Sequence, residues 1–154
     1  MIESAIVVYR KDGYTISTDK TRLDIAAIHS YLSDEAYWSQ GIPLEIVERG
    51  IENSLCFGLY QGDTQAGFAR VISDYASFAY LCDVFILQPF RGQGLGKWLM
   101  VCVMSHPALQ GLRNFLLFTK DAHGLYARSG FTQVADPGRI MVKRDPDIYL
   151  KKVE

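Results

Sequence analysis

Residues 84–97 join an apolar strand to a helix through a turn with alternating glycines. The segment reads Val84-Phe85-Ile86-Leu87-Gln88-Pro89-Phe90-Arg91-Gly92-Gln93-Gly94-Leu95-Gly96-Lys97. Glycines let the backbone approach an anion closely, the N–H groups of such a turn point inward, and the positive end of the helix dipole adds to the attraction. The segment therefore predicts a strand, an anion site and a helix in succession, with Lys97 placed to meet the anion.

Apolar periodicity around this segment predicts a mixed α/β domain. Strands are expected where residues alternate or stay apolar, at 6–10, 14–17, 55–60, 66–72, 77–87, 113–119, 131–134 and 140–143. Helices are expected where apolar residues recur every three or four positions, at 23–32, 44–51, 95–103 and 121–129. The strand at 77–87 is apolar along nearly its whole length, which is typical of a strand in the middle of a sheet.

The spacing of the glycines distinguishes this turn from other kinds of phosphate-binding loop. A dinucleotide fingerprint needs its third glycine at position 97, where Lys97 stands. A nucleotide P-loop needs a glycine at position 91 and a Ser or Thr after the lysine, where Arg91 and Trp98 stand. Both NAD and ATP are therefore disfavoured. A turn without any ligand remains an alternative, although alternating glycines cost entropy that a connector would not need.

The pattern Arg-x-x-Gly-x-Gly, with a proline two residues before the arginine, resembles the acetyl-CoA-binding motif of the GNAT acetyltransferases. The resemblance implies a GNAT acyl-CoA N-acyltransferase fold, with a central, mostly antiparallel mixed sheet of about seven strands flanked by about four helices. It also implies one domain over residues 1–154, with a core at about 14–144. The loop would hold the pyrophosphate of coenzyme A through Arg91, Gly92, Gln93, Gly94, Leu95 and Gly96, with Lys97 nearby. The strand before it would pair with the pantetheine arm through Phe85, Ile86 and Leu87.

A second motif lies at residues 119–131, which are similar to the Leu-Tyr-x-x-x-Gly-Phe segment of the same family. The resemblance makes Tyr126 the general acid, because a phenol with a pKa of about 10 keeps its proton at neutral pH and can donate it to a leaving thiolate. Thr119 stands where the family tends to have an asparagine that contacts the cofactor. As alternatives, Tyr126 is a half-buried core aromatic, or His123 does the acid–base work.

The acceptor side is less defined by motifs. Asp83 is an isolated carboxylate in an apolar strand, so it should face a partner such as Arg70 or a cleft, where it would serve as base or acceptor-binding group. The resemblance also implies a bulge near residues 84–86, which would free a backbone N–H for the oxyanion. The resemblance places the first two helices over the acceptor, which brings in Glu35, Tyr37 and Trp38. The two rings equally fit a packing role between helices and sheet.

Composition restricts the partners. A net charge of -1, with basic residues scattered among acids, gives no nucleic-acid footprint. The apolar stretches at 76–87 and 98–104 are too short for a membrane span, and the first residues lack a basic leader, so a soluble cytoplasmic protein is expected. Cys56, Cys82 and Cys102 fit buried apolar positions, and no metal is required.

These observations predict an enzyme that moves acetyl from acetyl-CoA directly to the amine of a small molecule or peptide. The alternative is a non-catalytic acyl-CoA-binding module, which would keep the glycine loop but would not need Tyr126. A monomer or a homodimer is compatible with either function.

Overall fold

The computed structural model describes residues 5–150, and the ends of the predicted domain, residues 1–4 and 151–154, lie outside it. The sheet consists of β1 (Val8–Lys11), β2 (Tyr14–Ser17), β3 (Leu55–Gln61), β4 (Thr64–Ser73), β5 (Phe78–Ile86) and β6 (Asn114–Leu117). The helices are α1 (Ile25–Ser30), α2 (Leu44–Glu52), α3 (Leu95–Ser105) and α4 (His123–Ala127). A single π-helical turn, Tyr31–Glu35, extends α1.

The strands lie in the sheet in the order in which they occur along the chain. Neighbours are antiparallel from β1 to β5, whereas β5 and β6 are parallel. A parallel pair needs a crossover connection, which α3 provides. The prediction of a mixed α/β sheet with four helices is confirmed, and the described residues contain six strands where about seven were expected.

The predicted strands at 131–134 and 140–143 do not form. The chain there is irregular and exposed, and a 3-10 turn at Pro137–Arg139 separates the two short apolar runs. Met141 is 96% exposed. Since neither run pairs with another strand, the periodicity of short apolar segments misassigned both.

Helices cover the two faces of the sheet and build two apolar clusters. On one face, Leu99, Met100 and Val103 of α3 pack against sheet residues such as Phe57 and Leu59. On the other face, side chains of α1 and α2 pack against β4 and β5 through Ile28, Leu32, Val47, Ile51, Phe68 and Phe85. The strand β5 is therefore covered on both sides, as its apolar sequence predicts.

His106, which follows α3, is an unusual member of the core. The ring is 1% exposed, and its Nδ1 accepts a hydrogen bond from the Ala108 N–H at 3.1 Å. Its Nε2 has no hydrogen-bond partner in the part of the chain that the structure describes. Burial lowers the pKa of the imidazole. The folded protein therefore binds fewer protons here than the unfolded chain, whose histidines titrate near pH 6.5.

Acidification is accordingly expected to destabilise the fold through His106. The free energy of unfolding should be unaffected by this group well above pH 6.5, and should fall as the pH drops below about 6.5, where the unfolded state takes up a proton. Urea midpoints at pH 8 and pH 5 measure the effect. His106→Asn keeps an acceptor for Ala108 and should show a smaller loss on acidification. The exposed His123 offers the control, since the His123→Asn variant should lose as much stability on acidification as the wild-type protein. Equal losses in all three proteins would contradict the assignment.

Candidate active site

The glycine turn between β5 and α3 takes the conformation that its sequence predicts. Gly92 has φ +81° and Gly94 has φ +78°, a left-handed conformation that strongly favours glycine. Gly94 is the N-terminal cap of α3. Two side chains fix the turn: Arg91 donates from Nε to the Ile86 carbonyl at 2.8 Å, and Gln93 accepts from the Tyr14 hydroxyl at 2.9 Å.

The backbone N–H groups of this turn are available to a ligand. Within residues 5–150, no acceptor takes a hydrogen bond from the N–H of any residue from 92 to 97. A Cβ at Gly92 or at Gly94 would meet no atom within 4 Å, so open space lies beside the turn. Lys97 is exposed in the first turn of α3. Free amides, a helix N-terminus and a lysine together match a pyrophosphate, which the sequence motif implies.

A cleft opens where β5 and β6 separate. The two strands pair only from Phe78 to Leu81, opposite Asn114 to Leu117, and β5 then continues to Ile86 with β4 as its one neighbour in the described sheet. The opening, called the cleft below, has a volume of about 680 Å³. It brings together five of the predicted site residues, which are Tyr37, Trp38, Asp83, Thr119 and Tyr126. Phe85 and Ile86 end the same strand after the cleft, and Leu87 follows them toward the glycine turn.

A β-bulge lies on β5 inside the cleft. Phe68 pairs with Phe85 and Arg70 with Cys82, so β5 contributes one residue more than β4 over this stretch. Asp83, inside the bulge, has φ +52°, which is uncommon for a residue with a side chain. A bulge leaves one residue of the ladder unpaired. The strand irregularity expected near residues 84–86 is therefore present at Asp83 and Val84, which both line the cleft.

Asp83 binds two partners. Its Oδ2 accepts from Arg70 Nε at 2.7 Å, and its Oδ1 accepts from Trp38 Nε1 at 3.0 Å. The side chains of Arg70 and Asp83 are only 20% and 12% exposed. Burial lowers the pKa of the Arg70 guanidinium, but the charge and hydrogen bond of Asp83 outweigh this effect and raise it overall, so the guanidinium stays charged. Asp83 thus holds the indole of Trp38 at the cleft and is itself fixed by Arg70.

Tyr126 lies on α4 and faces the cleft. Its ring meets Phe131 edge to face at a centroid distance of 6.3 Å. Burial, together with nearby Tyr37 and Asp121, raises the pKa of the phenol to about 12. The hydroxyl therefore keeps its proton at neutral pH and is able to donate it.

Cys82 also lines the cleft, beside Asp83. It is only partly buried, whereas Cys56 and Cys102 are buried as expected for apolar positions. Burial, and next the Asp83 carboxylate, raise the pKa of the Cys82 thiol to about 12. A thiol that stays protonated is a poor nucleophile.

The remaining predicted residues lie as follows. Thr119 uses its hydroxyl to accept the Ala122 N–H at 3.0 Å, which fixes the start of α4 while leaving the hydroxyl proton free to be donated. His123 is exposed at the first residue of α4, and it is not among the cleft residues. Glu35 is exposed at the end of the π-helical turn and likewise lies outside the cleft lining.

Several residues at the site carry no sequence motif. Tyr31 stacks on Phe85 at a centroid distance of 4.0 Å, which packs the π-helical turn against β5. The segment after α4 returns to line the cleft with Arg144, Asp145, Pro146, Ile148 and Tyr149. Gly41 accommodates this return, because the absence of a side chain at its φ of +79° lets the Tyr149 carbonyl pack closely against it.

No helix in residues 5–150 is long and apolar enough to cross a membrane. Within the same residues, no group of three or more His, Cys, Asp or Glu side chains is arranged to hold a metal ion.

Known proteins agree with this geometry. The profile of the Acetyltransferase (GNAT) family matches residues 25–131. A Gibberella zeae protein assigned as an acetyltransferase is 32% identical over 143 residues, covering 79% of this chain and 80% of its own. The crystal structure of a protein assigned to the GNAT family from Xanthomonas campestris pv. campestris is 51% identical, with a TM-score of 0.89 over 92% of this chain and 100% of that chain.

One solved relative contains the expected ligand. A GNAT family acetyltransferase from Elizabethkingia anophelis, whose structure contains acetyl-CoA, shares the fold with a TM-score of 0.56 at 15% identity, covering 78% of this chain and 75% of that chain. The family profile spans β5, the glycine turn and Tyr126, and it ends before residues 144–149, which complete the lining of the cleft. The chain therefore belongs to the GNAT family, and it is an acetyltransferase that uses acetyl-CoA.

Proposed function

We propose that this acetyltransferase moves the acetyl group to a primary amine of a small molecule or peptide, with Tyr126 as the general acid. The observation that supports this most directly is that Tyr126 and the bulge at Asp83 line one cleft, which leads along β5 to the glycine turn. A phenol with a pKa of about 12 is still protonated when the reaction needs a proton donor.

The residues of the chain divide the work of binding and transfer. The free amides of residues 92–97 and Lys97 bind the pyrophosphate, while Phe85, Ile86 and Leu87, which lie beyond the part of β5 that pairs with β6, orient the pantetheine arm. Acetyl-CoA supplies a thioester, from which the acetyl carbon bonds to the amine nitrogen as its bond to sulfur breaks. Tyr126 donates its proton toward that sulfur, and a backbone N–H of the bulge near Val84 stabilises the oxyanion. The amine gives up its proton to a base, a role for which Asp83 stays a candidate.

Direct transfer, without an acyl-enzyme, is the simpler route in this cleft. The one thiol among the cleft residues that the structure describes is Cys82, whose pKa of about 12 leaves almost no thiolate at neutral pH. Aromatic and acidic groups on the acceptor side, Tyr37, Trp38 and Asp83, suit a cationic amine that approaches from solvent.

Calorimetric titration tests the cofactor first. The purified chain should bind acetyl-CoA and CoA but not NAD or ATP, and raising the salt concentration should weaken the binding because phosphate contacts are screened. Thiol release from acetyl-CoA in the presence of a panel of primary amines then tests the reaction. If acetyl-CoA binds and no amine accelerates thiol release, the chain is a non-catalytic acyl-CoA-binding module. If NAD or ATP binds in its place, the proposal fails altogether.

Replacing Asp83 by asparagine distinguishes two roles of this residue, which are holding Arg70 and Trp38 in place and acting as the general base. Asparagine keeps an oxygen for one of the two donors but loses the charge that pairs with Arg70, so we expect kcat/KM for the amine to fall about tenfold. Because Asp83 is fixed by Arg70 and Trp38, we expect the pH profile of the variant to keep the shape of the wild-type profile. Loss of the acidic limb of that profile would instead assign Asp83 as the general base.

A further inference from the structure

A second pocket lies beside the cleft, between α2 and the sheet. This side pocket has a volume of about 350 Å³ and meets the cleft at two residues, Asp83 and Tyr149, which line both. Its wall is largely apolar and includes Ile28, Leu32, Ile46, Val47, Phe68 and Ile72. A pocket of this size holds a small organic group. Since the reacting amine has to reach the cleft, the side pocket is placed to hold the rest of the acceptor.

The charges of the side pocket do not balance. Arg49 and Arg70 line it together with one carboxylate, that of Asp83. Asp83 is already paired with Arg70, and no carboxylate in residues 5–150 lies within salt-bridge distance of Arg49. The pocket therefore has one positive charge in excess, next to an apolar wall.

Arg70 also has hydrogen-bonding capacity left over. Its Nε donates to Asp83 and its Nη1 donates to the Ser54 hydroxyl at 2.9 Å. The guanidinium also interacts with the Cys82 thiol, and within the described part of the chain no carboxylate or hydroxyl other than those of Asp83 and Ser54 accepts from it, so N–H groups remain for a ligand. Gly50 allows the guanidinium to approach α2, because a Cβ there would lie 3.3 Å from Nη1. A glycine inside a helix is less favourable than alanine, so the close approach of Arg70 comes at the expense of helix stability.

We propose that the acceptor is an amino carboxylate with an apolar skeleton. The carboxylate of this acceptor binds Arg49 and the remaining N–H groups of the Arg70 guanidinium. The aliphatic part of the acceptor fills the side pocket, and its amine passes Asp83 into the cleft. This inference rests on the proposed transfer to an amine and narrows the class of acceptor. A carboxylate matches a guanidinium edge, and apolar burial matches the pocket wall.

Paired amines test the class of acceptor. Thiol release is measured with leucine and with ω-amino acids from 3-aminopropanoate to 6-aminohexanoate, each against the amine that lacks the carboxylate. We expect at least one amino carboxylate to exceed its paired amine about tenfold in kcat/KM, as two charge-assisted hydrogen bonds suggest. If the paired amines react equally well throughout the series, the inference is wrong while the proposed transfer stands. If acetyl-CoA binds and no amine of either kind reacts, the proposed transfer itself fails.

Two variants locate the binding site. Arg49→Gln should reduce the preference for the carboxylate about fivefold, whereas Arg10→Gln, which removes an exposed arginine from β1, should leave it unchanged. Ile46→Trp should fill the side pocket and raise KM for the preferred amino carboxylate, whereas Leu44→Trp, on an exposed position of the same helix outside the pocket, should not. Calorimetric affinity for acetyl-CoA should be equal in all four variants. Equal carboxylate preference in the two arginine variants would overturn the assignment.

Discussion

Replacing Tyr126 by phenylalanine is expected to lower kcat about 100-fold, with KM for acetyl-CoA within about twofold of wild type. The phenyl ring keeps the edge contact with Phe131, so the variant loses the hydroxyl and little else. Without a proton donor the sulfur has to leave as an unprotected thiolate. Because burial raises the pKa of the phenol to about 12, wild-type Tyr126 is protonated across the usable pH range, and the ratio of the two kcat values should be constant between pH 6 and 9.

Tyr80→Phe is the matched control for this prediction. Tyr80 lines the same cleft and burial also raises the pKa of its phenol, but it lies on the paired part of β5, where the sheet is still closed. We expect Tyr80→Phe to keep kcat within about threefold of wild type. If both variants lose activity equally, the loss results from the reduced polarity of the cleft and not from a missing proton donor. If Tyr126→Phe is as active as wild type, another group donates the proton.

The sequence was most informative where structure is decided locally. The turn residues from Gln61 to Thr64 predict the hairpin between β3 and β4. The glycines from Gly92 to Gly96 predict the turn that joins β5 to α3. The apolar length of β5 likewise predicts that both of its faces are covered, although the strand is the fifth of six and not in the middle of the sheet. The two motifs of the site, the glycine turn and the segment at 119–131, are local patterns of the same kind. The structure brings Tyr126 and β5 to one cleft.

The features of the site that could not be predicted from the sequence depend on contacts between residues that lie far apart along the chain. Nothing in the local pattern shows that residues 144–149 return to the cleft, because their contacts lie with Gly41 and Phe118, far away along the chain. The bulge at Asp83 is a mismatch in register between β4 and β5, so the resemblance could suggest a bulge near residues 84–86, but the pattern of a single strand does not place it. The pairing of Asp83 with Arg70 was weighed as an alternative, and only the geometry shows that Trp38 shares the carboxylate.

Replacing Gly94 by valine is expected to weaken the binding of acetyl-CoA about 100-fold. Gly94 caps α3 at φ +78°, a conformation that a β-branched residue strongly disfavours. The Cβ itself would meet no atom within 4 Å, so the loss arises from the backbone and not from a steric clash. A turn that relaxes to negative φ redirects the amides of residues 92–97, and each lost hydrogen bond to a charged phosphate contributes about 1.5–3 kcal/mol. Calorimetric titration with acetyl-CoA measures the change.

Two further variants show whether the effect belongs to the anion site. Gly94→Asn should retain much of the affinity, because asparagine tolerates the left-handed conformation better than other residues. Gly111→Val carries the same backbone strain, at φ +73° and also in open space, but in an exposed turn outside the cleft. It should lower the thermal stability without changing the affinity. If Gly111→Val weakens binding as much as Gly94→Val, general destabilisation explains both. If Gly94→Val binds normally, the phosphates of acetyl-CoA do not depend on the amides of this turn, and the cofactor contacts proposed for residues 91–97 have to be reassigned.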